Sequence, residues 1–293
     1  MVDVSFSQHF MKRLELLKIV SRRRNPGMMR GEQRSPRYGS SVEFADYREY
    51  SEGDDIRYID WNAYARFEDL YLKLFIEEED LNLFILLDVS RSMSFGNPSK
   101  LLKAKHIAAA LSYVAFSNYD HACIIPVGAA GKQSFPLSRG KGQIFPVMEY
   151  LDRLDGKGEG NITSYIRNFL IETRLSGIAV LISDFLFDEG YDEVLKLLGA
   201  SRFQTSAVHI MSEEELKPTL SGDVRIVDVE HGEKLDVTFN RRTLRAYERK
   251  LNSFLYDVKE LCRRRSVNYL LTGNTHDVED FVLKECRKYK LVR

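Results

Sequence analysis

Cysteine is scarce in this 293-residue chain: Cys123, Cys262 and Cys286 are the three present, far apart and without a CxxC pair. That spacing excludes a disulfide framework and a zinc knuckle and points to a reducing compartment. Long apolar runs are missing too; the stretch of about 18 apolar residues that a spanning helix needs does not occur. Near the N-terminus an amphipathic stretch leads into Arg22-Arg23-Arg24, in place of a signal peptide's apolar core, so the expected location is cytoplasmic, with no membrane span. Neither charge sign prevails, since 43 Lys and Arg balance 43 Asp and Glu. A surface built throughout for nucleic acid or acidic membranes is excluded, and any charge-led function is local.

Familiar catalytic signatures are absent as well. His9, His106, His121, His209, His231 and His276 are scattered and form no HExxH, which reads as ordinary surface or core histidines. Gly140-Lys141-Gly142 and Gly156-Lys157-Gly158-Glu159-Gly160 lack the Gly-Lys-Ser/Thr ending of a Walker A loop and read as flexible connections. A Gly-x-Ser-x-Gly elbow is also missing.

What is present suits a sizeable core, with 44% hydrophobic residues. Phe6, Phe10, Leu14 and Leu17 recur at helical spacing, giving a short amphipathic helix that docks on the core or on a partner. The arginines from Arg22 to Arg37 (Arg22, Arg23, Arg24, Arg30, Arg34, Arg37) fit either a solvated linker or a surface for an anionic partner. Leu70 to Ile76 alternates like a half-buried strand, whereas Leu81 to Leu87 is apolar throughout, like a strand buried on both faces of a parallel sheet. A helix from Ser99 follows, then a hairpin of 121–127 with 134–137 turned by Gly128-Ala129-Ala130-Gly131, and helices near 143–154 and 164–175. Next come strand 178–182, helix 192–198, strands 204–210 and 224–229, helix 243–265, strand 267–271 and a terminal helix. Arg263-Arg264-Arg265 caps the negative end of the long helix. The alternation predicts an α/β fold with a doubly wound, mostly parallel sheet, residues 81–293, behind a helix and small N-terminal lobe, residues 1–80.

Asp88-Val89-Ser90-Arg91-Ser92 sets a carboxylate and two hydroxyls at alternate positions on the loop leaving the first buried strand. Asp184 ends another strand, and Thr163 lies in a loop that opens a helix. Ligands in open α/β sheets bind beyond the strands' carboxyl ends, so these five oxygen donors are expected to meet there. Mg²⁺ (or Mn²⁺) suits the set: Ser90, Ser92 and Thr163 bind directly, Asp88 and Asp184 hold waters, and one position stays open for a partner's carboxylate. The alternative is that the same residues only cap a turn and a helix.

Asp88-x-Ser90-x-Ser92, Thr163 and Asp184 together resemble the metal-ion-dependent adhesion site of von Willebrand factor A domains. Gly39-Ser40-Ser41-Val42-Glu43-Phe44, Arg48-Glu49-Tyr50, Gly53 to Trp61 and Ala65-Arg66 resemble the bacterial family catalogued as domain of unknown function 58, as do Val224 to Glu230 and Glu260 to Arg265. The resemblance covers nearly the whole chain and implies a von Willebrand factor A-like (Rossmann-like) fold. It also implies an adaptor role beside a MoxR-type AAA+ ATPase and its client proteins. The loop before Thr163 reads Gly-Asn-Ile-Thr where Gly-Gly-Thr is typical, and the spans of some relatives are absent.

The expectation is therefore a metal-dependent protein-binding adaptor without catalysis, its alternative a Mg²⁺-dependent phosphohydrolase that lacks a Lys or Arg clamp beside the site. Arg48, Asp54, Asp55, Arg57, Asp60 and Arg66 serve either internal pairing or a partner surface, with Trp61 as a large anchor.

Overall fold

A computed structural model describes residues 6–21, 42–77, 81–128, 131, 133–158, 161–187, 189–218, 222–227 and 234–293. Outside the described residues lie the arginines from Arg22 to Arg37, Gly39-Ser40-Ser41, Ala129-Ala130, Glu159-Gly160 and Asp228-Val229-Glu230.

The elements run α1 (Gln8–Glu15), β1 (Val42–Glu49), α2 (Trp61–Phe67), β2 (Tyr71–Glu77), β3 (Asn82–Asp88), α3 (Lys100–Ser117), β4 (His121–Val127) and β5 (Phe135–Arg139). They continue with α4 (Ile144–Arg153), α5 (Ile162–Glu172), β6 (Ile178–Ser183), α6 (Tyr191–Gly199), β7 (Gln204–Met211), α7 (Glu213–Leu216), β8 (Gly222–Val227) and β9 (Lys234–Phe239). The last are α8 (Arg241–Arg264), β10 (Asn268–Gly273) and α9 (Val278–Asp280), which passes into π-helical turns at Phe281–Cys286.

Two compact units result, Arg23–Asp80 and Met1–Arg22 with Leu81–Arg293. The smaller holds the antiparallel pair β1 and β2 with α2 between them in sequence. Grouping residues 1–80 together is corrected at its start. Ser7 caps α1 by accepting from Phe10 N at 3.1 Å, and Phe10, Leu14 and Leu17 are buried in the larger unit's core. Lys18 and Arg293 then exchange backbone hydrogen bonds of 3.0 and 2.9 Å, so both ends of this unit are tied together.

The larger unit is mixed α/β around a six-stranded sheet in the order β10-β7-β6-β3-β4-β5. Every pairing is parallel except the β4–β5 hairpin. Alternation along β3 feeds two cores, as the period of a strand requires. Leu83, Ile85 and Leu87 pack with Ile107 of α3 and Val147 of α4, while Phe84 and Leu86 pack with Ile166 of α5, Leu195 of α6 and Val258 of α8. Helices therefore cover both faces, which is why β3 is apolar at every position from Leu83 to Leu87.

One strand departs from expectation. β8 pairs antiparallel with β9 in a hairpin of its own, from Gly222↔Phe239 to Val227↔Lys234, and does not join the central sheet. Asp223, Arg225, Asp236 and Thr238 are exposed on it. Such residues would be costly on a strand with two buried faces.

Candidate functional site

Because β3 lies parallel between β4 and β6, the carboxyl ends of these strands meet at one edge of the sheet. Asp88 ends β3 and is fully buried. Its Oδ1 accepts from Ser90 N at 2.9 Å and its Oδ2 from Ser183 Oγ at 2.6 Å. Burial, and next the charge of Asp184, push its carboxyl well above the usual carboxylate range, against the pull of those hydrogen bonds. Asp184, also fully buried, accepts from Leu186 N at 3.1 Å. Both aspartates thus stiffen their own loops, as the capping alternative requires.

The hydroxyls do not follow that alternative. Ser90 starts the helical turn Arg91–Ser94 without a side-chain cap bond, and its Oγ lies 3.0 Å from Ser92 Oγ. In α5 the cap is Asn161, which accepts from Ser164 N at 2.7 Å, leaving Thr163 without a capping task. Thr163 Oγ1 is buried and has no hydrogen-bond partner. Gly128 joins the pieces: a Cβ there would lie 3.4 Å from Ile162 and 3.7 Å from Ser90 N, so the start of α5 adjoins the Asp88 loop.

The glycine segment after α4 is a correction. Gly158 N donates to Val89 O at 2.9 Å, and Ser90 bridges to Gly158 in parallel fashion. A Cβ at Gly158 would run into the Gly128 carbonyl, and one at Gly156 into the Ser94 hydroxyl. Residues 156–158 are therefore a packed wall of the site rather than a flexible connection.

Lys100 was not anticipated. Ser99 caps α3, and Lys100 is its first residue, fully buried, with Nζ donating to Asp184 Oδ2 at 2.7 Å and Glu215 Oε1 at 2.6 Å. Burial works against the ammonium, but the two carboxylates outweigh it and raise its pKa. Glu215 is fixed in turn by a capping box, accepting from Ser212 N at 2.7 Å. The expectation that no Lys or Arg stands beside the site is overturned. A lysine in a helix's first turn opposes the helix dipole, and that was the available signal. Behind Asp184, His209 is a core histidine, bonded through Nδ1 to Tyr269 Oη at 2.9 Å and pushed down to about 4 by burial. Among the described residues no cluster of three His, Cys, Asp or Glu suits a metal, so the candidate donors are mainly hydroxyls.

In the smaller unit the predicted partner-binding residues are largely paired within that unit. Arg48 meets Asp54 at 2.8 Å, and Arg57 grips Asp55 through Nε at 3.0 Å and Nη2 at 2.6 Å. Both carboxyls are held low, that of Asp54 by Ser51 N and then Arg48, that of Asp55 by Arg57. Asp60 is buried, caps α2 and accepts from Tyr47 Oη at 2.8 Å. Arg66 is exposed, and Trp61, expected to anchor, is 62% exposed and edge-on to Tyr64.

The family described as protein of unknown function DUF58 matches residues 46–253, and the chain belongs to it. The uncharacterized protein Rv1480 of Mycobacterium tuberculosis is 23% identical over 75% of this chain and 70% of its own. Among solved structures, the conserved hypothetical protein BatB of Bacteroides thetaiotaomicron is 16% identical, with a TM-score of 0.43 over 71% of this chain and 98% of that one. An aerotolerance-related membrane protein of Bacteroides fragilis is 16% identical, with a TM-score of 0.42 over 72% and 98%. The cytoplasmic location is corrected on this finding: a structure similar to this chain is described as a membrane protein. No helix among the described residues is long and apolar enough to cross a membrane, and that fact does not assign a location.

Proposed function

We propose that the chain is a von Willebrand factor A-like adaptor that binds proteins through a divalent cation, Mg²⁺ or Mn²⁺. The observation that carries this reading is the buried, unpartnered Thr163 Oγ1 at the strand edge that holds Asp88, Ser90, Ser92 and Asp184. An unmet buried hydroxyl costs about 1–3 kcal/mol, which a ligand to it would remove. Ser90, Ser92 and Thr163 would hold the cation, and Asp88 and Asp184 its waters. Lys100 already balances one carboxylate, leaving the site weakly charged and suited to a partner's acidic side chain as the completing ligand. The partner we favour is a MoxR-type AAA+ ATPase with its clients, on the sequence resemblance set out above.

Lys100 also invites the phosphohydrolase reading, since a cation there could clamp a phosphoryl group. Its ammonium is fully buried and held by two carboxylates, so it is not presented to a substrate. Pull-down of partners with the wild-type chain tests the proposal: capture is expected to fall with EDTA and with Asp88→Ala. Capture indifferent to both would overturn it, and phosphate-ester turnover lost in Asp184→Ala would favour the enzyme.

A further inference from the structure

α8 is the longest helix of the described residues, at 24 residues, and it is two-sided. Val258 and Cys262 are buried in the core with Phe254 and Leu261 against them. The opposite side carries Arg241, Arg245, Arg249, Asn252, Tyr256, Lys259 and Arg263, all exposed. Steps of three and four residues put them on one ridge. The ridge extends for about 33 Å at a helix rise of about 1.5 Å per residue.

By the same steps the exposed Glu248 lies on it too, so the ridge holds five cations and one carboxylate. Glu260, off its line, pairs with Arg263 at 2.7 Å and Arg264 at 3.3 Å. Among the described residues Arg241, Arg245, Arg249 and Lys259 meet no acidic group, although the chain has as many acidic as basic residues. Folding does not account for the arrangement. The first turn of α8 has no acidic residue and two arginines, Arg241 and Arg242, where the helix dipole disfavours positive charge. Asn240 already caps that end, accepting from Arg242 N at 2.9 Å and Thr243 N at 3.0 Å. Within the chain these charges are met by solvent, and they are free to meet an external anion.

We infer that this ridge of α8 docks on an anionic lipid surface. A straight exposed ridge meets a plane along a line, and a bilayer of anionic headgroups offers charge along all of it. A duplex backbone instead winds through a full turn over about 34 Å and leaves a straight row after a few phosphates. Tyr256, 66% exposed on the ridge between Asn252 and Lys259, has the ring and hydroxyl suited to a headgroup layer. The apolar side of α8 faces the core, so the contact is electrostatic, without insertion.

Co-sedimentation of the full chain with vesicles tests this. Binding is expected to vesicles of phosphatidylcholine with phosphatidylglycerol, to be lost on phosphatidylcholine alone, and to weaken with salt. Each cation near such a surface contributes about fivefold in affinity, so the joint variant Arg241→Gln, Arg245→Gln, Arg249→Gln, Lys259→Gln should bind roughly a hundredfold more weakly or worse. A control set, Arg167→Gln with Lys196→Gln on α5 and α6, should bind like wild type, and circular dichroism should show both folded. No binding by wild type, or equal binding by the ridge variant, overturns the inference. Ridge-dependent binding to nucleic acid or polyglutamate without vesicle binding overturns it in favour of that partner.

Discussion

Replacing Lys100 by methionine removes the ammonium between Asp184 and Glu215 and keeps most of the aliphatic stem. Side-chain exposure is 0% for Asp184 and 16% for Glu215, so Asp184 bears the loss without water while Glu215 is partly solvated. Breaking a buried pair by deleting one partner costs about 3–5 kcal/mol, because the other charge stays buried. The partial solvation of Glu215 places Lys100→Met at the lower end, about 3 kcal/mol, since the volume term of a Lys to Met change is small. Urea unfolding of wild type, Lys100→Met, Asp184→Asn and the double variant forms the test. The double variant should recover most of the loss, giving a coupling of about 2 kcal/mol or more. A loss below about 1 kcal/mol for Lys100→Met, or additive single effects, would refute the idea that this pair holds the site together.

Thr163→Val, which keeps shape and deletes the unpartnered hydroxyl, should leave metal-free stability unchanged or slightly higher and abolish any shift in melting temperature with Mn²⁺. Gly158→Ala should cost about 1–3 kcal/mol in urea unfolding, because its methyl meets the Gly128 carbonyl. His209 is depressed from 6.5 to about 4, so between those values the unfolded chain binds more protons and stability falls as pH falls. Between pH 7 and 4 wild type should therefore lose up to roughly 3 kcal/mol relative to His209→Gln in unfolding measurements, a difference that leaves out the opposite contribution of Asp88, whose raised carboxyl favours the native state as pH falls.

The sheet was legible where hydrophobic pattern alone decides. Leu81 to Leu87 is apolar without alternation, and β3 is indeed covered on both faces. β8 misled because Val224 to Val227 reads like any strand of the sheet, although Lys234 to Phe239 alternates polar and apolar just as well and marks the partner with which it forms an exposed hairpin. Spacing offered Asp88, Ser90 and Ser92 as candidates, and its place at a helix start offered Thr163. Lys100 was legible only in part: a lysine at a helix start signals a compensating anion, but not that Asp184 and Glu215 supply it from across the fold. Glycines at 156 and 158 looked like slack for the same reason: the atoms that crowd them are the backbone of Val89, Ser90 and Gly128 and the side chains of Ser94 and Leu101. Local pairing in the smaller unit, such as Arg57 with Asp55 two residues away, could be anticipated from sequence, whereas the exposure of Trp61 could not.

The central claim is that Ser90, Ser92 and Thr163 form a cation site, and thermal unfolding across a Mn²⁺ titration addresses it directly. Binding to the native state at 100 times Kd adds about 2.7 kcal/mol, an easily read rise in melting temperature. That rise is expected in wild type, and its loss in Ser90→Ala at unchanged metal-free stability. An equal rise in both proteins, or none in wild type even with an acidic partner peptide present, would contradict it.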